Sequence, residues 1–486
     1  MIRLDAEHTQ KSAQNIVLKN TLMAVAGQFL AMPLSLLINV AAARYLGATQ
    51  YGQLFLATTF VSFAFVFVDW GQRISLTGAI ARNRGQTGLL LLTGIALRMI
   101  LAPVFFACMI AISVFLGYPN SFRWLLFLVT LATLASSASG AMQDTLQAFE
   151  RGDLNLKATA AGQVIAGGVV LAALTLGGGL DAFVLAQGVG AVLATFILAW
   201  VIRKLGIRDF RVRWDMLRQL AVQGTPFLAF GLVLVLQPTL DAYFLSQLVP
   251  PEVVGWNAVA RKLIGVLIYP ASALVGALYP TICRLHAHEP ERVAPTVSGA
   301  VRLAMLVGIA AGLGCMLYPE LGVSVFGMQD YAHTCENLRV LGLFVILVYV
   351  SMPISSTLMA LGYQRVWSVV QFACIIFSAV LDPWLVPWFQ THYANGGIGV
   401  CVASVISELA MVAMGLVLLP KGLLQPALLR TLFTVCAASA VTGGIAFALK
   451  GLNPWLAAPC AMASCVGLLW LSGEVHKTQL MRRGAQ

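Results

Sequence analysis

The chain is a succession of long apolar runs broken by short polar clusters. Apolar windows of about 20 residues are long enough to cross the ~30 Å hydrocarbon core of a bilayer as helices. They predict fourteen helices, over 17–43, 51–71, 88–117, 121–147, 156–178, 181–203, 222–248, 254–284, 298–318, 336–361, 365–389, 397–420, 430–449 and 453–473. The fold class is therefore an all-α polytopic membrane protein. The longest connector before the seventh span, 204–221, is rich in Arg. It reads as a linker on the cytoplasmic side between a six-helix lobe (1–203) and a second six-helix lobe (222–420). Residues 421–486 then hold two accessory helices and a tail, with the turn between them at Lys450–Pro454.

One connector recurs. The stretch from Arg44 to Gly52 follows the first apolar run, and a degraded copy from Gln247 to Trp256 follows the seventh. Gly52 and Gly255 lie 203 positions apart. A chain that repeats its opening hairpin halfway along is expected to be two similar bundles, a design that in membrane proteins encloses a substrate path.

Composition agrees with the pattern. Apolar residues make up 59% of the 486 positions and charged ones 10%, too apolar a balance for a water-soluble protein. The polar first ~16 residues carry no leader with a small-residue cleavage site, so insertion by the first helix is expected. The net charge of +11 would suit nucleic acid, but its distribution tracks topology instead. With the N-terminus in the cytoplasm and span ends set to within about four residues, 23 of the 30 Lys and Arg fall at or near tails and even-numbered connectors, 4 on the opposite side and 3 deeper inside helices. That is the positive-inside bias, with both termini cytoplasmic and no nucleic-acid partner. Tryptophans at helix ends, Trp367 among them, are expected at headgroup level.

Eight of the nine Cys sit in apolar runs without a CxxC pair, so neither disulfides nor zinc knuckles are expected. Cys283, His286 and His288 only faintly resemble a ligand set, and neither a metal nor a cofactor is expected. No nucleophile–base arrangement or phosphate-cradling Gly loop stands out, which argues against an enzyme.

The run Ala42–Gly47 with Tyr51-Gly52, and Asp241 followed by the stretch from Val253 to Leu263, carry a resemblance. They look like the hairpins of bacterial oligosaccharide (O-antigen and exopolysaccharide, Wzx-type) flippases, and Glu408 also suits that family. These flippases belong to the multidrug/oligosaccharidyl-lipid/polysaccharide exporter superfamily. The resemblance implies a transporter in the bacterial inner membrane. Its cargo would be undecaprenyl-diphosphate-linked sugars, moved from the inner to the outer leaflet for surface polysaccharide such as lipopolysaccharide or exopolysaccharide. Polymerases and glycosyltransferases would be its partners, membrane lipids its surroundings, and a functional monomer its state. A lipid II flippase and a cation-coupled drug exporter are the alternatives within the superfamily. An integral-membrane polymerase or glycosyltransferase is the alternative outside it.

Charges inside spans narrow the candidate site, because each costs roughly 3 kcal/mol if it faces lipid. Arg261, with the planar fork suited to a diphosphate, is the favoured substrate ligand, and Lys262 an auxiliary charge. Arg98 and Arg44 are further candidates, for which snorkelling or interfacial anchoring is the competing role. Asp241, Glu408 and Asp382 would pair with these bases or bind a coupling ion. Asp69 and Asp144 read as interfacial. Pro33, Pro226, Pro238 and Pro270 could kink the candidate moving helices into hinges. The Gly308–Gly312 run reads as a close-packing motif.

Overall fold

The computed structural model describes residues 2–472 apart from Glu150, Arg208 and Lys450, with side chains described from Pro33 onward except those of Phe230 and Ala427. The tail after Ser472 and the turn residue Lys450 thus lie outside the described residues. Every regular element among those described is helical. In chain order they are α1 (Ile2–Asp69), α2 (Gln72–Arg82), α3 (Thr87–Phe115), α4 (Asn120–Ala148), α5 (Gly152–Thr175), α6 (Leu180–Lys204), α7 (Trp214–Leu248) and α8 (Pro251–His288). There follow α9 (Val293–Leu317), α10 (Pro319–Phe326), α11 (Met328–Tyr331), α12 (Thr334–Ala360), α13 (Gln364–Tyr393), α14 (Gly397–Leu418), α15 (Ala427–Ala448) and α16 (Pro454–Leu471).

Twelve of the described helices are long and apolar enough to cross a membrane, or thirteen if the bent α7 counts as one span. The first of the twelve, Pro33–Arg82, spans 50 residues. Straight, it would run about 75 Å, more than twice the hydrocarbon thickness. It is not straight. Gly47 leaves helical geometry at φ 71°, ψ 174°, a conformation open to glycine because it has no Cβ. Beyond this break Tyr51 Oη donates to Asn39 Oδ1 at 3.3 Å. Twelve residues along one helix would hold these groups about 18 Å apart, so the chain folds back at Gly47. The expected spans 17–43 and 51–71 are the two arms of this hairpin. The chain breaks again at Val249–Pro250, between α7 and α8.

The helices form two compact units, Met1–Thr239 and Leu240–Gln486. Within the first, α5 packs on α6 and α1, and α4 on α6. Gly162 of α5 faces Ala194 of α6, and Gly190 of α6 faces Ala166 of α5. A Cβ on either glycine would come within 2.9 or 2.6 Å of the opposing methyl. Two small-xxx-small pairs, Gly162/Ala166 and Gly190/Ala194, thus clasp antiparallel helices by letting their backbones approach. In the second unit α12 is central, packed on α8, α9 and α14. Here the Gly308–Gly312 run of α9 is a packing motif as expected. A Cβ at Gly312 would lie 2.5 Å from the Gly342 carbonyl, and one at Gly308 the same distance from Tyr349 Cβ. Helices α15 and α16 pack on each other and on α9, where Leu306, Ile309 and Leu313 meet Val435, Ala438, Cys465 and Leu469. Many large apolar side chains elsewhere point outward, Phe115, Leu176 and Phe433 among them, as lipid solvation allows.

Three elements depart from the expected pattern. Helix α2 lies beyond the apolar run that ends at 71; Trp70 and Gly71 adopt positive φ and the chain then resumes as a helix. The expected loop 319–335 is largely helical, as α10 and α11. Trp367 is fully buried, its Nε1 donating to Ser355 Oγ at 2.7 Å. It therefore belongs to the core of the second unit and not to an interfacial belt.

Candidate functional site

Asp241 is buried near the end of α7, and α8 returns beside it with Arg261 nearly three turns in. The Arg261 guanidinium donates through Nη2 to Asp241 Oδ2 at 2.7 Å and to Ser404 Oγ of α14 at 2.8 Å. One turn earlier on the same face of α8 lies Asn257, whose Oδ1 meets Cys401 Sγ at 3.8 Å. Spacings of four residues (257, 261) and three (401, 404) keep each pair on one helix face. From α13 comes Asp382, completely buried, facing Asp241 within hydrogen-bonding reach, carboxyl to carboxyl. No other donor among the described residues reaches either Asp382 oxygen or Asp241 Oδ1. The cluster thus sets two carboxyl groups against one guanidinium, with acceptor atoms that a shared proton or a cation would satisfy. A buried acceptor without a donor is costly, so the arrangement suits an additional positive charge.

Arg261 is not sealed in. A fifth of its side chain remains exposed, against 3% for Asp241. Lys262, the next residue, is exposed on another face of α8. Glu408 is separate from this cluster. It is buried on α14 one turn beyond Ser404 and accepts a hydrogen bond from Ser351 Oγ of α12.

The first unit holds its own buried ion pair. Arg98 of α3 contacts Asp69 Oδ1 at 2.6 Å and donates through Nη1 to the Ser137 carbonyl of α4 at 2.9 Å. This joins α1, α3 and α4 across a cavity of about 680 Å³ that Arg73 and Asp144 also line. Asp69 and Asp144, expected at an interface, therefore sit beside Arg98, and Asp144 is buried. Arg44 is exposed beside the Gly47 turn. Pro33 lies within α1, Pro226 and Pro238 within α7, and Pro270 within α8. Helix α7 bends by 52° between its halves Trp214–Ala229 and Gly231–Leu248, whereas α1 folds at Gly47 and not at Pro33. Among the described residues no three His, Cys, Asp or Glu converge as a metal site.

Charge alone was visible in the sequence, so Asn257, Ser351, Cys401 and Ser404 went unnoticed there. Their signal was spacing: Ser404 and Glu408, like Asn257 and Arg261, stand four apart, one polar stripe on an apolar helix.

With this geometry in place, comparison decides the family. Residues 17–286, more than half of the chain, match the family model described as polysaccharide biosynthesis protein. The chain belongs to that family. A search of curated proteins finds no match. Among solved structures it is similar to the lipid II flippase MurJ in an inward closed conformation, at 12% identity and a TM-score of 0.71, covering 95% of this chain and 100% of that one. A multidrug resistance MATE family transporter of the MOP superfamily, inward-facing, aligns at 16% identity and 0.62, covering 81% and 97%. A MOP superfamily transporter from Pyrococcus furiosus aligns at 16% and 0.55, covering 83% and 94%. The chain has the fold of these transporters.

Proposed function

We propose that this protein flips polyprenyl-diphosphate-linked oligosaccharides from the inner to the outer leaflet of a bacterial plasma membrane. It would do so by alternating access, supplying units for surface polysaccharide. The observation that carries this reading is the polysaccharide-biosynthesis family match, in a chain folded end to end like a lipid flippase. Arg261 supports it. It is a guanidinium held in place by Asp241 and Ser404 yet partly exposed, suited to a diphosphate by its bidentate geometry. Lys262 adds a flexible charge nearby. The open acceptors of Asp241 and Asp382 are suited to a coupling proton or cation, whose binding would weaken the hold on Arg261.

A lipid II flippase is the second reading, favoured by the fuller overlap with MurJ than with the multidrug transporter. In a strain lacking the gene, lipid-linked repeat units should accumulate on the inner leaflet and surface polysaccharide should be lost while growth continues. Arrested growth with lysis would favour lipid II instead, and normal surface polysaccharide would refute the first reading.

A further inference from the structure

The cavities of the first unit differ in chemistry. The one beside Arg98 holds charges of both signs. Another, of about 460 Å³, is lined among the described residues by no charged side chain. Four carboxamides reach it from four helices: Asn39 of α1, Gln143 of α4, Gln163 of α5 and Gln187 of α6. Hydroxyls of Ser139 and Thr159 join them. Its floor is the α5–α6 clasp, where Gly162, Ala166, Gly190 and Ala194 bring the helices together and leave room above their small side chains.

Carboxamides in a membrane span are expensive without partners. Asn39 is partly satisfied, donating to the Ser35 carbonyl at 2.7 Å and accepting from Tyr51. Gln163 is not: its Oε1 is enclosed and has no hydrogen-bond partner among the described residues. Four such groups converging on one hollow call for a ligand that both donates and accepts. An acyl chain would leave them unpaired, and among the described lining residues an anion would meet no cation and an organic cation no carboxylate. A neutral polyhydroxylated ring matches, since each hydroxyl donates and accepts as each carboxamide does. The volume falls in the range of about 300–1,000 Å³ usual for small-ligand sites. Ser136 and Gln143 line both cavities, so the neutral hollow adjoins the charged one.

We propose that this cavity is a glycan subsite, which holds a sugar ring of the lipid-linked cargo through Gln143, Gln163 and Gln187. The assignment rests on the flippase reading above and adds to it a place for the sugar.

The test uses the full chain in nanodiscs, titrated with farnesyl diphosphate and with farnesyl-diphosphate-linked glucose, galactose and N-acetylglucosamine. At least one glycosylated probe should bind about ten-fold or more tightly than the bare diphosphate, the effect of one or two net hydrogen bonds. Gln163→Leu with Gln187→Leu should abolish that advantage and leave the affinity for bare farnesyl diphosphate unchanged. Ala191→Leu fills the cavity from α6 without removing a carboxamide and should do the same, should the paired variant fail to fold. Equal binding of all four probes, or a glycan advantage that survives the folded variants, overturns the subsite while the flippase reading stands. Binding of none of them, the bare diphosphate included, overturns both.

Discussion

Arg261 stands between Asp241 and Ser404 with part of its side chain exposed, and this placement assigns it two roles that mutation can separate. Removing the guanidinium leaves Asp241 buried without its counter-charge, a loss of about 3–5 kcal/mol in comparable buried pairs. Arg261→Ala should therefore lower the unfolding temperature in detergent as well as transport. Asp241→Asn combined with Arg261→Gln removes both charges and should recover most of the stability while transport stays low. Equal destabilisation in the single and double variants would show that the pair is not what stabilises this site. The sequence displayed both residues as anomalous charges, and their spacing into adjacent apolar runs suggested that they could meet. Which way a helix is rotated is not written in one residue, however. That is why Asp69 and Asp144 read as interfacial when the structure sets them beside Arg98. The carboxamides of Asn39, Gln143, Gln163 and Gln187 escaped notice for a related reason. Each is unremarkable alone, and only the packing of four helices makes them a group.

Helices in this protein approach through glycine, and neighbouring glycines differ sharply in what surrounds them. A Cβ at Gly312 would meet the Gly342 carbonyl and Ile346 at 2.5 Å, whereas one at Gly314 would meet nothing within 4 Å. Gly312→Val should force α9 from α12 and cost more than the roughly 1–3 kcal/mol typical of overpacking. Gly314→Val should change stability by less than about 1 kcal/mol. Monodisperse yield and unfolding temperature measure both, and equal losses would contradict the packing. The same reasoning applies to α5 and α6, where Gly190→Leu should separate the clasp. Most helices were legible because twenty consecutive apolar residues leave few alternatives. Helix α2 was not, since Trp70 and Gly71 interrupt the apolar run without ending the helical chain. Nor were α10 and α11, whose short lengths fall below what hydropathy windows resolve.

At the scale of the molecule, the chain folds at Gly47 and breaks again at Val249–Pro250, and its two compact units divide within α7, between Thr239 and Leu240. The distribution of basic residues predicts the orientation of the whole. With native cysteines replaced, a cysteine at Arg211 in the linker should react with an impermeant maleimide only from the cytoplasmic face. A cysteine at Arg123, at the start of α4, should react only from outside. Reaction of both from one face would reverse or break the topology. Neither hydropathy nor charge counting could name the cargo; that rests on the family match and on groups gathered from distant parts of the chain. The most direct measurement is flipping itself, by purified protein in proteoliposomes containing a polyprenyl-diphosphate-linked oligosaccharide. Access of an impermeant sugar-modifying enzyme to the lipid reports its leaflet. The account predicts that wild-type protein exposes the inner-leaflet pool while the folded Asp241→Asn/Arg261→Gln variant does not. Exposure no faster than in protein-free vesicles, or equal exposure by both proteins, would contradict it.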